Sequence, residues 1–337
     1  MILHHRLVRQ AIDRDDHDDF VKEVVVTSVA VPLAMVRKRL ASLSETRAAV
    51  LLVHGFGQNR HTFHLPSRSF ANHLAREGFD VFNLDLRGHG RSRALSGARA
   101  KNVGDYAQED LPEALAEIAR NSSNRKVFLI GHSLGGLVSY AAAPLLKDRI
   151  AGIVTLGSPY HFTRGSLELR AVAMLVRGLR VARVRNVGAP VAMRVIASAM
   201  RTFRMVADGP LPMPLRGWRV GALEPHVLDE HLRLAFDHAS LDEMLAMFDW
   251  ANAKRFGGHR EDYVEQFESL DLPLLVVAGD EDELAPPASV RPAFVRSASL
   301  DKTYRSLPFG HVDLVVGRDA PRHMWPLVDR WLTARSK

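Results

Sequence analysis

At 337 residues, with 47% hydrophobic and 25% charged side chains, the chain has the make-up of one large globular domain or a core with an insertion, which excludes a disordered or fibrous protein. Cysteine is absent, so disulfides, thiolate metal sites and cysteine nucleophiles are excluded. The net charge of +7 invites a polyanion, yet only eight of the 45 basic residues are lysine, a skew that fits a GC-rich coding bias; the aromatic-and-glycine platforms of RNA-binding modules are also missing, so no nucleic-acid partner is expected.

Met1 to Phe20 is polar and rich in histidine and aspartate, without the apolar centre of a signal peptide, and no run approaches the ~18 apolar residues of a membrane span. A cytoplasmic protein is expected. From Val24 onward strand-like and helix-like stretches alternate, which predicts an α/β class with a mostly parallel central sheet flanked by helices. Val24 to Thr27 and Pro32 to Val36 predict an opening antiparallel pair, Ala48 to Val53 a buried strand, and Ser69 to Glu77 a helix stopped by Gly78. Phe79 to Leu84 is the next strand, and Gly104 to Arg120 a helix whose acidic start suits the positive end of its dipole.

The apolar run Val127 to Ile130 leads into Gly131-His132-Ser133-Leu134-Gly135 and then a helix-like stretch from Gly136 to Ala143. A serine between small residues, at a sharp turn from a buried strand into a helix, is the geometry of a nucleophile elbow. The turn strains the serine backbone, and the flanking glycines leave room for it. After the strand Ile150 to Leu156 the rhythm breaks. Residues 160–269 contain no convincing strand and read as several helices, an insertion expected to cap the strand ends. The predicted organisation is a core of residues 1–159 and 270–337 with a helical cap or lid at 160–269. Pro273 to Ala278 and Thr303 to Leu307 resume the strands, and Met324 to Thr333 closes the chain as a helix.

A serine hydroxyl becomes nucleophilic only when a base takes its proton and an acid holds that base in the right tautomer. Both partners stand in the expected chain order after Ser133. The turn Gly279-Asp280-Glu281-Asp282-Glu283 is crowded with carboxylates, and Pro308-Phe309-Gly310-His311 follows the last strand. His311 is the candidate base. His323 falls in a helix and reads as a surface residue. Two N–H donors must meet the oxyanion of the tetrahedral intermediate. Leu134, after the nucleophile, and Phe56, in His54-Gly55-Phe56-Gly57, are the candidates. The His54 ring reads as a support for its own turn, and Arg87 and His89 as supports for the loop after Leu84. Ser158 reads as a loop residue lining the pocket, and Asp313 as a helix N-terminal residue, with a hydrogen bond near the base as the alternative.

These motifs together resemble the α/β-hydrolase superfamily from Val50 to the C-terminus: His-Gly-x-Gly at His54, Asp85 to Ser92, the elbow at Ser133, and Gly310-His311. Arg87 to Ser92 and Gly131 to Gly136 look most like the monoacylglycerol lipase and lysophospholipase group of serine esterases. Gly310 to Asp313 is similar to the histidine turn of acid-lipase and polyester-synthase relatives. Those synthases use cysteine as nucleophile, and epoxide hydrolases and dehalogenases use aspartate, so serine at 133 points away from them. The resemblance implies an α/β-hydrolase fold with an inserted helical cap, and a carboxylic ester hydrolase working through an acyl-enzyme. Its Gly-x-x-Asp spacing favours Asp282 as the triad acid, with Asp280 as the alternative. No metal or organic cofactor is implied. An acyltransferase or thioesterase with the same triad is the rival activity, and a non-catalytic binding protein on this scaffold the more distant one.

The cap carries Met193, Met200, Met205, Met213, Phe203 and Trp218, which suit an apolar acyl chain or, equally, ordinary core filling. From Arg164 to Arg204 arginines are interleaved with apolar residues. That pattern favours cap helices with their apolar face on the core and arginines in water; contact with a lipid interface is the sharper reading. The expected partner is a small ester substrate, and the oligomeric state is left open.

Overall fold

The computed structural model describes residues 1–124, 126–160, 190–191, 193–202, 208–209, 216–240, 243 and 263–336. At the N-terminus it departs from the sequence reading. Ile2–Asp13 (β1) and Asp16–Val26 (β2) pair as a long antiparallel hairpin, with Arg14 at φ 52° in the turn. The first six residues of β1 are all exposed, so no buried face imposed an apolar alternation. Ala34–Leu40 (β3) continues the antiparallel ribbon, Val24 facing Val36 and Val26 facing Ala34.

Ala49–Val53 (β4) is buried at all five positions, which follows from helices covering both faces of a parallel strand. Its side chains alternate between two cores: Ala49, Leu51 and Val53 enter one, Val50 and Leu52 the other. Phe70–Arg76 (α1) is capped by the Ser69 side chain, which accepts from Asn72 N. Asp80–Asp85 (β5) follows, then Gly90–Ser96 (α2). The single helix expected at 104–120 is instead Val103–Asp105 (α3), a wide π turn at Tyr106–Asp110, and Leu111–Asn121 (α4). Pro112 gives no N–H to the preceding turn, and the π turn places Asp110 against the Arg87 guanidinium.

Val127–His132 (β6) leads into Leu134–Leu146 (α5), and Ile150–Leu156 (β7) follows. Residues 157–273 separate β7 from the strand that pairs with it. Among the described residues this stretch holds Pro190–Val191 (β8), Met193–Thr202 (α6), Pro225–Leu234 (α7), Ala239–Ser240 (β9) and Tyr263–Glu268 (α8). β8 pairs with β9, a two-residue contact too short to leave a periodic signal in the sequence. Leu274–Gly279 (β10), Pro287–Arg296 (α9), Lys302–Leu307 (β11), Asp313–Val316 (α10) and Ala320–Thr333 (α11) complete the chain. The last helix starts four residues before the expected Met324, at a first turn that holds Pro321.

The nine-stranded sheet runs β1-β2-β3-β5-β4-β6-β7-β10-β11, parallel from β5 to β11. One face packs on α4, α5 and α9 through Leu115, Tyr140 and Val290; the other packs on α1 and α11 through Phe70, Leu74, Trp325 and Leu332. This is the α/β-hydrolase fold. All six parallel strands point their C-terminal ends the same way, so the loops that follow them share one edge of the sheet. Among the described residues no helix is long and apolar enough to cross a membrane.

Candidate active site

Ser133 sits between β6 and α5 at φ 53°, ψ −119°, a left-handed conformation rarely adopted by a residue with a side chain. Its surroundings leave no room for larger neighbours. A Cβ on Gly131 would lie 2.3 Å from Gly136 N, and one on Gly135 2.0 Å from Val53 O. The Ser133 N–H donates to Leu156 O at 3.0 Å, tying the turn to the end of β7.

His311 follows β11 and is 5% exposed. Its Nδ1 lies 2.7 Å from Asp282 Oδ2; a carboxylate only accepts, so Nδ1 carries the proton and Nε2 keeps its lone pair. The second carboxylate oxygen, Asp282 Oδ1, accepts from Leu284 N at 2.9 Å and Ala285 N at 2.7 Å, which fixes the carboxylate plane. Asp280 is exposed and accepts from the Ser306 hydroxyl instead. The three elements meet around Gly157. It follows the Leu156 carbonyl that holds Ser133, and a Cβ on it would lie 3.0 Å from Asp282 Oδ2 and 3.3 Å from His311 Nδ1.

Leu134 directly follows Ser133, and Phe56 follows Gly55 in the loop after β4. Leu134 opens α5, so its N–H has no intrahelical acceptor. The loop carrying Phe56 presses on the elbow, since a Cβ on Gly55 would come within 3.2 Å of Ser133 Cβ. His54 supports this loop: Nδ1–H donates to Gly55 O at 2.9 Å and Nε2 accepts from Leu86 N at 3.1 Å. Burial, with the neighbouring His89, lowers its pKa to about 4, so the ring is neutral. Arg87 is paired with Asp110 and Glu109, both at 2.6 Å, and His89 Nδ1–H donates to Arg87 O. Both residues hold the loop after β5.

Ser158 does not line a pocket. It is fully buried under α5, its hydroxyl within 3.3 Å of Gly131 O, and a Cβ on Gly136 would strike it at 2.0 Å. His323 is exposed on α11. The side chains of Met193, Phe203, Met205 and Met213, and most of the basic stretch 164–204, lie outside the described residues. Met200 and Trp218 pack on the second core.

The sequence reading missed two groups that hold His311, His132 and the segment 217–219, and ranked the contact of a third, Asp313, below a helix N-terminal role. His132, beside the nucleophile, donates through Nε2–H to His311 O at 3.1 Å, and the two rings lie 4.6 Å apart. Burial, with the neighbouring His311 ring, pushes its pKa well down, keeping it neutral. Asp313 does more than start α10. Fully buried, it accepts from Gly310 N at 2.9 Å and from Arg219 N and Nε at 3.2 Å. Gly217 O takes the Val312 N–H at 2.7 Å. Residues 217–219 therefore brace the histidine turn. Residues 235–237 likewise brace the loop after β4, with Asn59 N donating to Ala235 O at 3.0 Å and Asp237 N to Gly57 O at 2.7 Å. No local pattern marks such long-range partners. A histidine next to the elbow serine was the one available signal.

Among the described residues, His73, Glu77 and Asp329 form one group that could hold a metal ion, but His73 Nε2 already lies 2.7 Å from Asp329 Oδ2, a hydrogen bond between α1 and α11.

The sequence profile of the α/β-hydrolase fold matches residues 48–317. The chain belongs to the α/β-hydrolase family. Among related proteins, this hydrolase is 25% identical over 271 residues to the monoacylglycerol lipase of Mycolicibacterium smegmatis, covering 79% of this chain and 81% of that one. It is 27% identical over 121 residues to epoxide hydrolase 3 of Xenopus tropicalis, covering 36% of this chain and only 30% of the relative. The fold matches the solved monoacylglycerol lipase of Paleococcus ferrophilus with a TM-score of 0.61 at 19% identity, over 99% of this chain and 100% of that one.

Proposed function

We propose that Ser133, His311 and Asp282 form a catalytic triad that cleaves esters with an apolar acyl chain. At family level the protein is a carboxylic ester hydrolase, a reading supported by the lipases and esterases among its relatives. The observation that carries the triad is the 2.7 Å bond from His311 Nδ1–H to a carboxylate beside a serine in elbow geometry.

With Nδ1 protonated, His311 Nε2 takes the proton of Ser133 as its hydroxyl attacks the ester carbonyl. The Asp282 carboxylate stabilises the imidazolium that forms. The Phe56 and Leu134 N–H groups meet the oxyanion, each contributing about 3–4 kcal/mol by analogy with other such donors. His311 then gives its proton to the leaving alcohol. Water, activated by the same nitrogen, attacks the acyl-enzyme and releases the acid. Residues 160–269 are the proposed cap, and among the described residues Gly217–Arg219 and Ala235–Asp237 meet the core.

A p-nitrophenyl ester panel from butyrate to palmitate, run with wild type and Ser133→Ala, tests the reading. Loss on the order of 10⁶-fold in the mutant is expected, as when a serine nucleophile is removed elsewhere. Equal activity in both proteins rejects the triad. Preference for longer chains supports the apolar acyl class, and activity on butyrate alone counts against it.

A further inference from the structure

Among the described residues, each buried arginine sits against two carboxylates. Arg37 has Asp80 and Glu23, Arg68 has Asp13 and Glu224, and Arg87 has Asp110 and Glu109. Lys38 breaks this pattern. It is 2% exposed, yet its Nζ meets only Asn72 Oδ1 at 2.6 Å and the two ring nitrogens of His64 at 3.3 Å. Its direct cross-strand partner on β2 is another cation, Lys22. Like charges placed opposite each other on a sheet repel.

Both lysines line a cavity of about 50 Å³, together with Arg60, Arg91, His64 and Asn83. Among the described residues, Arg60 alone of the four cations has a side-chain ion pair, with Asp85 at 2.7 Å; Arg91 meets the same carboxylate through its backbone N–H at 2.9 Å. Burial and the surrounding cations lower the pKa of Lys22, Lys38 and Arg91 together. The cavity also holds an unanswered acceptor. Asn83 Nδ2 donates to Arg60 O at 2.9 Å, which fixes the amide, and leaves its buried Oδ1 without a donor.

We propose that this cavity binds a small inorganic oxyanion that carries a hydroxyl, of the hydrogen-phosphate class. Its charged oxygens would accept from Lys22, Lys38, Arg60 and Arg91, and its hydroxyl would donate to Asn83 Oδ1. A water needs about 10–15 Å³ of such volume, so the cavity takes a single tetrahedral ion in place of a few waters. The site lies beside the loop after β4 and ties it to β2 and β3. It makes no use of Ser133, and its test is independent of ester hydrolysis.

Thermal melts of the full chain in low-millimolar sodium phosphate, against sodium chloride at matched ionic strength, provide that test. Phosphate is expected to raise Tm by about 2 °C or more, a shift that general salt effects do not produce at this concentration. Sulfate, with no hydroxyl for Asn83, should raise it less. The shift should vanish in Arg91→Gln, at an exposed position where folding is not at risk, and in Lys38→Met. Identical melts in phosphate and chloride would overturn the proposal. So would a phosphate shift that survives in Arg91→Gln, or a sulfate shift as large as that of phosphate.

Discussion

Asp282→Asn probes the triad through one atom. In the wild type, Asp282 Oδ1 accepts from Leu284 N at 2.9 Å and Ala285 N at 2.7 Å, while Oδ2 accepts the His311 Nδ1–H. Asparagine offers a single acceptor oxygen. If that oxygen stays on the two backbone donors, the NH₂ faces His311, and the ring must turn a lone pair toward it at Nδ1. The ring proton then moves to Nε2, where Ser133 needs a base. The opposite placement sets NH₂ against two N–H groups, leaving buried donors unsatisfied at about 1–3 kcal/mol each, so the first arrangement wins. In other Ser-His-Asp enzymes the wrong tautomer lowers kcat about 10⁴-fold, or about 5.5 kcal/mol of transition-state stabilisation. Steady-state kinetics on p-nitrophenyl butyrate should show that loss in kcat with KM little changed and a melting temperature close to wild type. Asp280→Asn, at an exposed residue bonded to Ser306, should remain near wild type. A folded Asp282→Asn protein within tenfold of wild-type kcat would refute the reasoning, and a large loss at Asp280 would move the acid there.

Gly135→Ala drives a Cβ into Val53 O, a backbone atom that cannot yield, so stability should fall by roughly 3 kcal/mol or more; an unchanged urea midpoint would contradict the packing of the elbow. Arg219→Ala strips the Nε donor from buried Asp313, leaving only the backbone N–H groups of residues 219 and 310 on that carboxylate, and loosens the histidine turn. A kcat about tenfold lower with unchanged KM is expected, at about 1.4 kcal/mol per tenfold, with partial rescue in Arg219→Lys; full activity in the alanine variant would limit Arg219 to the surface. Buried His231, whose ring nitrogens have no partner among the described residues, has its pKa lowered by burial to about 4. Between pH 4 and 6.5 the unfolded chain therefore binds a proton that the folded chain refuses, so this residue makes stability rise with pH across that window. His231→Leu should stabilise the protein and flatten that part of the slope, as read from urea midpoints at the two ends; a steeper slope would contradict it.

The sheet was legible where strands are buried on both faces. Ala49 to Val53 and Val127 to Ile130 show this, because covered parallel strands must be apolar throughout. β1 was not legible, because its first half buries nothing and follows no alternation. Ser133, His311 and Asp282 could be singled out because each stands at a turn after a strand, where glycine spacing records a local steric demand. The braces on His311 follow a different logic. Arg219 and Gly217 reach it from nearly a hundred residues away, and a hydrogen bond across such a distance leaves no periodicity to read. Ser158 misled for a related reason: its place at a strand end resembles a pocket position, whereas Gly136 lets the helix bury it.

The most direct measurement is intact-mass spectrometry after exposure to an alkyl fluorophosphonate, which bonds to an activated serine and to little else. Wild type should gain one adduct, mapped by peptide analysis to Ser133, while Ser133→Ala gains none and Asp282→Asn reacts far more slowly. An adduct on another residue, or equal labelling of wild type and Ser133→Ala, would contradict the central claim that this hydroxyl is the nucleophile.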